Sequence, residues 1–210
     1  MPCPETIIFC LDTSAEVQTG HFNQMTYWEA IREDLMMFVH QKHSFSPNHQ
    51  FGILNLALEV FWELHPTTDI EKFNQAMQLL RPFPERIAHC DLSSCITSVK
   101  DHIPKTSQEG ILRIIVVYAR SKAPTLESLE QSPAIQKYDN VFVDYLILCS
   151  DINDPEVTSI DLALNSLHNH WSSRTGEGYC FTASKRTQAQ WRVISLLAHP
   201  DQRPKDQLSD

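Results

Sequence analysis

The sequence predicts an α/β fold in which a doubly wound, mostly parallel six-stranded sheet carries helices on both faces. Three observations lead to this prediction: short apolar runs rich in β-branched residues, longer segments of helical period, and regular alternation of the two along 210 residues. Continuous apolar runs are typical of strands buried on both faces, and strands that alternate with helices build parallel sheets. We assign residues 3–200 to this one domain and residues 201–210 to a polar tail.

Six segments have the composition of strands. They are residues 6–11, 51–58, 60–64, 111–118, 141–149 and 178–183. Little more than Glu59 separates the second run from the third, so these form either a tight antiparallel hairpin at the sheet edge or one long bent strand. The remaining connections are expected to be right-handed crossovers, which place a ligand crevice at the carboxyl ends of the first and fourth strands.

Capping patterns mark the helix starts, because a hydroxyl residue three positions before an acid or amide satisfies free backbone N–H groups. Such pairs are Thr26 with Glu29, Thr68 with Glu71, and Thr187 with Gln190. Asp154 followed by Pro155 marks a further helix. We also expect a helix over residues 91–103 and a modest one that starts at Pro124.

Composition narrows the classes of function. The formal net charge is −9, which argues against nucleic-acid and anionic-membrane partners because both need basic surfaces. No apolar run reaches the roughly 20 residues that span a bilayer. The first residues also lack the basic and apolar regions of a secretory signal. We therefore expect the protein in the cytosol or the nucleus.

The sequence lacks the motifs of common catalytic chemistries. Phosphate-cradling loops need glycines, and none lies between Ile7 and Gln18. There is no G-x-S-x-G elbow and no H-E-x-x-H pair. The six cysteines are expected as reduced thiols without a C-x-x-C pair, so we predict no metal site among them and no cofactor. These features favour a binding module over an enzyme.

The loop after the first strand is the best candidate for a functional site. Asp12 and Ser14 follow this strand directly, and their oxygens can project into the crevice, where hard cations such as Mg²⁺ prefer oxygen ligands. Arg120 follows the fourth strand and brings a cation to the same crevice. In one interpretation the loop begins a metal site. In the other, which we favour, Asp12 and Ser14 tie down the loop and pair with Arg120.

This loop resembles the D-x-S-x-S start of the metal-ion-dependent adhesion site of von Willebrand factor A domains. Asp12 and Ser14 match that pattern, but Glu16 stands where the second serine belongs. The resemblance also implies a threonine before the third helix and an acid after the fourth strand. The corresponding positions hold Asp91 with two serines, and Arg120. The predicted site is therefore degenerate. A metal-dependent adhesion-type domain that recognises an acidic partner residue is the alternative function.

Three stretches are similar to a more specific family. They are the opening CPETIIFCLDTSAE, the strand RIIVVYAR at residues 113–120, and the ending LLAHPDQRP at residues 196–204. The chain resembles the von Willebrand factor A-like subunit of the BRISC and BRCA-one-A deubiquitinase complexes, the Merit-forty family, from Cys3 to Pro204. The ending is the most specific stretch, since no general rule of helix termination explains it.

The resemblance implies a non-catalytic scaffold. The subunit of that family binds BRE, a ubiquitin-conjugating-enzyme-variant scaffold. The same assembly holds a metalloprotease-type deubiquitinase with its pseudo-enzyme scaffold, and it cleaves ubiquitin chains joined through lysine sixty-three. The family acts in nuclear DNA-damage signalling and in the cytoplasm. We therefore predict an adaptor of such a complex that has no enzymatic activity of its own.

Two groups of residues are the predicted partner contacts. They are Asp12, Ser14, Glu16 and Arg120 at the crevice, and His199, Pro200, Gln202, Arg203 and Pro204 in the C-terminal segment. The C-terminal segment has a second interpretation, in which residues 199–204 pack back on the sheet and end the last helix. The sequence leaves both interpretations open.

Overall fold

A computed structural model describes residues 3–57, 59–85, 90–105, 109–125, 138–171 and 178–200. The strands in these residues are β1 (Glu5–Asp12), β2 (His21–Phe22), β3 (Met25–Thr26), β4 (Gln50–Leu56), β5 (Val60–Thr67), β6 (Ile111–Tyr118), β7 (Val141–Leu148) and β8 (Cys180–Ala183). β2 and β3 form a separate short hairpin, which the sequence analysis did not predict.

The main sheet has six strands in the order β5–β4–β1–β6–β7–β8. β1 pairs in parallel with both β4 and β6, and β6, β7 and β8 continue the parallel arrangement. β5 runs antiparallel to β4 at one edge, so the hairpin interpretation of this region is the correct one. The predicted fold class is confirmed, including its single antiparallel edge strand.

The helices are α1 (Ala15–Thr19), α2 (Tyr27–Phe45), α3 (Ile70–Leu79), α4 (Ser93–Val99), α5 (Pro155–Trp171) and α6 (Arg186–Ser195), with a 3₁₀ turn at Lys100–His102. The predicted capping box at the start of α2 is present. The Glu29 backbone N–H donates to Thr26 Oγ1 at 3.1 Å, and the Thr26 N–H donates to Glu29 Oε2 at 2.9 Å.

Two predicted helix starts are wrong by one or two residues. α3 is capped by Asp69 instead of Thr68, because the Asp69 carboxylate accepts from the N–H groups of both Glu71 and Lys72. α6 begins at Arg186, after Lys185. No side chain caps that end, so the pair Thr187 and Gln190 does not open the helix.

Other predicted elements differ in length. The helix expected over residues 91–103 is α4 followed by the 3₁₀ turn, and the last strand starts at Cys180 instead of residue 178. The short helix α1 was not predicted. The modest helix expected from Pro124 falls largely outside the described residues.

The core has two layers, one on each face of the sheet. The first lies between the sheet and α2, α3 and α6, where Phe9 makes edge-on contacts with Phe38 and Phe73 at ring-centroid distances of 5.6 Å. The second lies between the sheet and α4 and α5. None of the helices within the described ranges combines the length and apolar character needed to cross a membrane.

Candidate functional site

The strand order reverses at β1, and this position defines the crevice. β1 lies between β4 and β6, and the chain leaves it first towards β4 and returns to β6 only later. In doubly wound sheets the loops at such a switch point diverge and leave a crevice at the carboxyl ends of the strands. The residues that follow β1 and β6 therefore meet at the predicted position.

Asp12 and Arg120 form a buried ion pair in this crevice. Arg120 Nε donates to Asp12 Oδ1 at 3.0 Å, and both residues are only 2% exposed. Asp12 Oδ1 also accepts from the Ser14 backbone N–H at 2.9 Å, and Oδ2 accepts from the Ala119 N–H at 3.0 Å. Both carboxylate oxygens are thus engaged by donors from the two strand ends. The predicted pairing of Asp12 with Arg120 is confirmed.

The guanidinium of Arg120 joins three adjacent strand ends. Its Nη2 donates to the backbone oxygens of Leu56, the last residue of β4, and of Ala57, which follows that strand. Burial lowers the pKa of Arg120, but the charge of Asp12 outweighs burial and the pKa lies above its ordinary value. Arg120 is therefore a permanent cation that ties β1, β4 and β6 together. We call Asp12 and Arg120 the crevice pair.

A series of side-chain hydrogen bonds next to the crevice was not predicted from the sequence. Thr13 Oγ1 donates to Asn55 Oδ1, and Asn55 Nδ2 donates to Glu63 Oε1 at 2.9 Å. Asn55 is 1% exposed, so its amide needs these partners. The signal that could have found this contact is the single polar residue within the apolar run FGILNLAL at 51–58.

Glu16 does not join the crevice pair. It lines an open cavity of about 430 Å³, together with Arg120 and the acidic residues Asp151, Asp154 and Glu156. Ser14, by contrast, is fully buried, and its Oγ has no hydrogen-bond partner among the described residues. The four predicted crevice residues therefore divide between a buried pair, a buried hydroxyl and a cavity wall.

The cysteines near the crevice are poor nucleophiles. Burial raises the pKa of the Cys90 thiol to about 12, and the nearby Arg120 lowers it only in part. Burial likewise raises the pKa of Cys149, which lines the cavity, to about 11. Since the thiolate is the reactive form, neither group is set up for covalent catalysis at neutral pH.

A second buried charge cluster lies at the opposite, amino-terminal ends of the strands. Arg113 Nε donates to Asp144 Oδ2 at 2.6 Å, and Arg113 Nη1 lies 3.6 Å from Glu5 Oε2. Glu5 Oε1 accepts from Lys42 Nζ of α2. All four residues are at most 2% exposed. We call Glu5, Lys42, Arg113 and Asp144 the basal network.

The basal network holds the chain where it leaves α6. Arg113 Nη1 donates to the backbone oxygens of Leu196 at 2.5 Å and Ala198 at 3.4 Å. His199 is 7% exposed and Pro200 is buried, which supports the packing interpretation for these two residues. Gln202, Arg203 and Pro204 lie outside the described residues, so their part of the predicted contact stays a prediction.

The comparison with family models identifies the domain. The model of the von Willebrand factor type A domain matches residues 7–119, more than half of the chain. The chain belongs to the von Willebrand factor type A domain family. The matched region runs from β1 to the end of β6 and includes the Asp12 loop and Ala119, whose N–H binds Asp12.

Solved structures agree with this family. The SpRpn10 VWA domain superimposes with a TM-score of 0.63 and 15% identity over 97% of this chain and 99% of that chain. BatB from Bacteroides thetaiotaomicron superimposes with a TM-score of 0.60 and 14% identity over 92% of this chain and 98% of that chain. At such low identity these likenesses establish the fold alone.

Curated relatives extend over nearly the whole chain. "BRISC and BRCA1-A complex member 1" of Xenopus tropicalis is 23% identical over 217 residues, which are 96% of this chain and 67% of the relative. The protein of the same name from Rattus norvegicus is 22% identical over 219 residues, which are 96% of this chain and 65% of the relative. The chain thus spans about two thirds of the length of these relatives.

The crevice of this VWA domain does not fit the metal ion that its D-x-S start implies. Both oxygens of Asp12 already accept from N–H donors, and the positively charged guanidinium of Arg120 lies in contact with Oδ1. A divalent cation beside this guanidinium would meet repulsion in a buried setting of low dielectric constant. Within the described ranges, no three His, Cys, Asp or Glu side chains group as metal ligands.

Proposed function

We propose that this protein is a non-catalytic scaffold subunit of a deubiquitinase complex of the BRISC and BRCA1-A type. The observation that carries the proposal is its similarity to complex members of that name over 96% of its length. A likeness confined to the VWA fold would not support this assignment, because the fold serves many unrelated functions. The similarity instead continues past residue 119, where the family model ends.

The geometry of the crevice supports a scaffold that binds partners without a bridging metal ion. Asp12, the first acid of the expected metal site, is neutralised inside the chain by Arg120. The nearby thiols of Cys90 and Cys149 have raised pKa values. The residues of this crevice therefore stabilise the domain, and partner contacts are left to its outer surfaces.

The immediate partner in this proposal is a BRE-like ubiquitin-conjugating-enzyme-variant subunit. Through that subunit the chain would join a metalloprotease-type deubiquitinase and its pseudo-enzyme scaffold, which cleave ubiquitin chains linked through lysine sixty-three. The proposed locations are the cytoplasm and the nucleus. In this assignment the chain contributes stability and geometry to the complex, and the chemistry belongs to another subunit.

Reconstitution tests the proposal. The full chain is co-expressed with the BRE-like subunit and the deubiquitinase pair of its own organism, and the complex is isolated by size-exclusion chromatography. We expect all four proteins to co-elute, and we expect cleavage of lysine-sixty-three-linked ubiquitin only when the deubiquitinase is present. Elution of the chain apart from the other three would contradict the scaffold assignment, as would cleavage by the chain alone.

The C-terminal segment is tested separately. A variant that combines Gln202→Ala with Arg203→Ala is compared with the unmodified chain for melting temperature and for affinity towards the BRE-like subunit. Weaker binding at an unchanged melting temperature supports a contact role for residues 202–204. A lower melting temperature with unchanged affinity supports packing on the sheet instead.

A further inference from the structure

Charge is distributed unevenly along this acidic chain. Residues 178–200 contain the basic residues Lys185, Arg186 and Arg192 and no acidic residue, although the whole chain has a net charge of −9. These residues form β8, α6 and the turn that follows. Arg186 binds Asp34 of α2 through two hydrogen bonds of 2.7 and 2.8 Å. Glu33 of α2, with a side chain that is 59% exposed, also lies 3.7 Å from Arg186. Among the described residues, the unpaired positive charge on this surface therefore comes from Lys185 and Arg192, which are both exposed.

Aromatic side chains occupy the same part of the molecule. Tyr179 and Phe181 stack with ring centroids 4.9 Å apart, and the Arg192 guanidinium lies 4.8 Å from the centroid of the Phe181 ring. Trp191, the neighbour of Arg192 on α6, is 67% exposed. We call Tyr179, Phe181, Lys185, Trp191 and Arg192 the aromatic–basic patch.

The patch has the composition of a binding hot spot. Tryptophan, tyrosine and arginine are the residues that most often dominate the energy of protein interfaces. Stacking already restricts the side chains of Tyr179, Phe181 and Arg192 in the unbound protein, so these side chains lose little conformational entropy on binding. A single exposed apolar residue needs no explanation, but Trp191 adjoins, along α6, an arginine that packs on a pair of stacked, half-buried aromatic rings.

The patch also borders an open edge of the sheet. β8 pairs with β7 on one side, and no strand covers its other side in the part of the chain that the structure describes. An open edge presents backbone donors and acceptors that an extended segment of another protein can pair with. Positive charge beside this edge favours a segment that carries negative charge.

We propose that the aromatic–basic patch docks an acidic segment of a partner protein that inserts an apolar anchor residue beside Trp191. This inference rests on the proposed function, because the partner we assign to the patch is the BRE-like subunit. It adds the surface that makes the contact and the chemistry of the segment that it receives. The crevice residues have no part in this contact.

The experiment measures the dissociation constant of the purified full chain for the purified BRE-like subunit. Trp191→Ala and Arg192→Glu are the test variants. Leu162→Ala, at a residue that is 65% exposed on α5, is the matched control for the first. Lys72→Glu, at a side chain that is 66% exposed on α3, is the matched control for the second. Melting temperatures of all variants are recorded to confirm folding.

We expect each test variant to weaken binding by about tenfold or more, as hot-spot residues do, and both controls to bind like the unmodified chain. Equal affinity of all five proteins would overturn the patch while leaving the proposed function intact. No binding by the unmodified chain would reject the proposed function and this inference with it. If sedimentation shows that Trp191→Ala converts a dimer to a monomer, the patch receives a second copy of the chain, which also overturns the proposal.

Discussion

The crevice pair and the basal network are both buried charge clusters centred on an arginine, but the two arginines bind different sets of groups. Arg120 binds one carboxylate, that of Asp12 at the end of β1, and backbone oxygens at the end of β4. Arg113 lies beside two carboxylates, those of Asp144 and Glu5, and also donates to the backbone after α6. The crevice pair therefore joins neighbouring strand ends, and the basal network also joins the sheet to the segment that follows a helix.

This difference determines how much stability the domain loses when the arginine of each cluster is substituted. Without Arg120, Asp12 would keep two backbone N–H donors, from Ser14 and Ala119. Without Arg113, Asp144 would lose its guanidinium partner while still accepting from the Tyr179 N–H, Glu5 would lose a second cation, and the backbone oxygens of Leu196 and Ala198 would lose their guanidinium donor. A buried charge whose partner is removed is costly in proportion to the hydrogen bonds it has lost. The basal network should therefore be the more sensitive of the two.

The largest effect is expected for Arg113→Met. The substitution keeps much of the side-chain volume but leaves Asp144 and Glu5 without their shared cation, so the free energy of unfolding should fall by about 3–5 kcal/mol. Urea denaturation followed by circular dichroism measures this change. Arg113→Lys is the control and should lose less, because it keeps the charge without the planar fork. A loss of under about 1 kcal/mol for Met would contradict the role given to Arg113.

Arg120→Ala should lower the free energy of unfolding by a smaller amount, about 2–3 kcal/mol, because the two backbone donors still stabilise the Asp12 carboxylate.

Removing the guanidinium in Arg120→Ala also leaves oxygens of Asp12, Leu56 and Ala57 facing the vacated space. We therefore expect Mg²⁺ or Mn²⁺ to raise the melting temperature of this variant. The unmodified chain and Arg120→Lys are the controls and should show no such rise. A rise in the unmodified chain would show that Arg120 does not replace the ion.

The smallest effect concerns pH. Burial lowers the pKa of His49. The charges of Lys42 and His199 lower this pKa further, and the charge of Glu5 raises it. The folded state therefore binds a proton on His49 less readily than the unfolded state, so stability is full above the ordinary histidine pKa and falls as the pH drops below it. Burial also lowers the pKa of His102, so this residue contributes to the loss of stability at acidic pH in the same way.

Melting temperatures of His49→Gln and His102→Gln between neutral and mildly acidic pH measure these two contributions. We expect each substitution to flatten part of the acid-side loss of stability, by less than the effect of either arginine substitution. An unchanged pH profile in both variants would mean that other groups cause the acid sensitivity.

The fold and the crevice pair could be predicted because both follow from local patterns. Apolar runs such as residues 111–118 define buried strands, and the switch point then brings the residues after β1 and β6 together. The prediction did not extend to α1 and the β2–β3 hairpin, since their few residues carry too weak a periodicity. Helix starts were misplaced where a neighbouring residue, Asp69, offered a stronger acceptor than the predicted Thr68.

The basal network was missed although its signal is present in the sequence. Arg113 and Asp144 are the charged residues within the apolar strands ILRIIVVY and VFVDYLIL. A charge in a strand buried on both faces needs a partner, but the sequence alone does not say that the two lie on neighbouring strands. That pairing depends on the register of β6 with β7, which places Ile115 opposite Asp144.

In the proposed function this VWA domain binds its partner without a metal ion, because Arg120 supplies the cation of the crevice. The most direct test is the affinity of the chain for the BRE-like subunit, measured by calorimetry with Mg²⁺ and again with EDTA. Using these two proteins alone keeps the metalloprotease subunit out of the measurement. We expect the same dissociation constant in both buffers. Binding that is lost in EDTA and restored by Mg²⁺ would contradict this expectation.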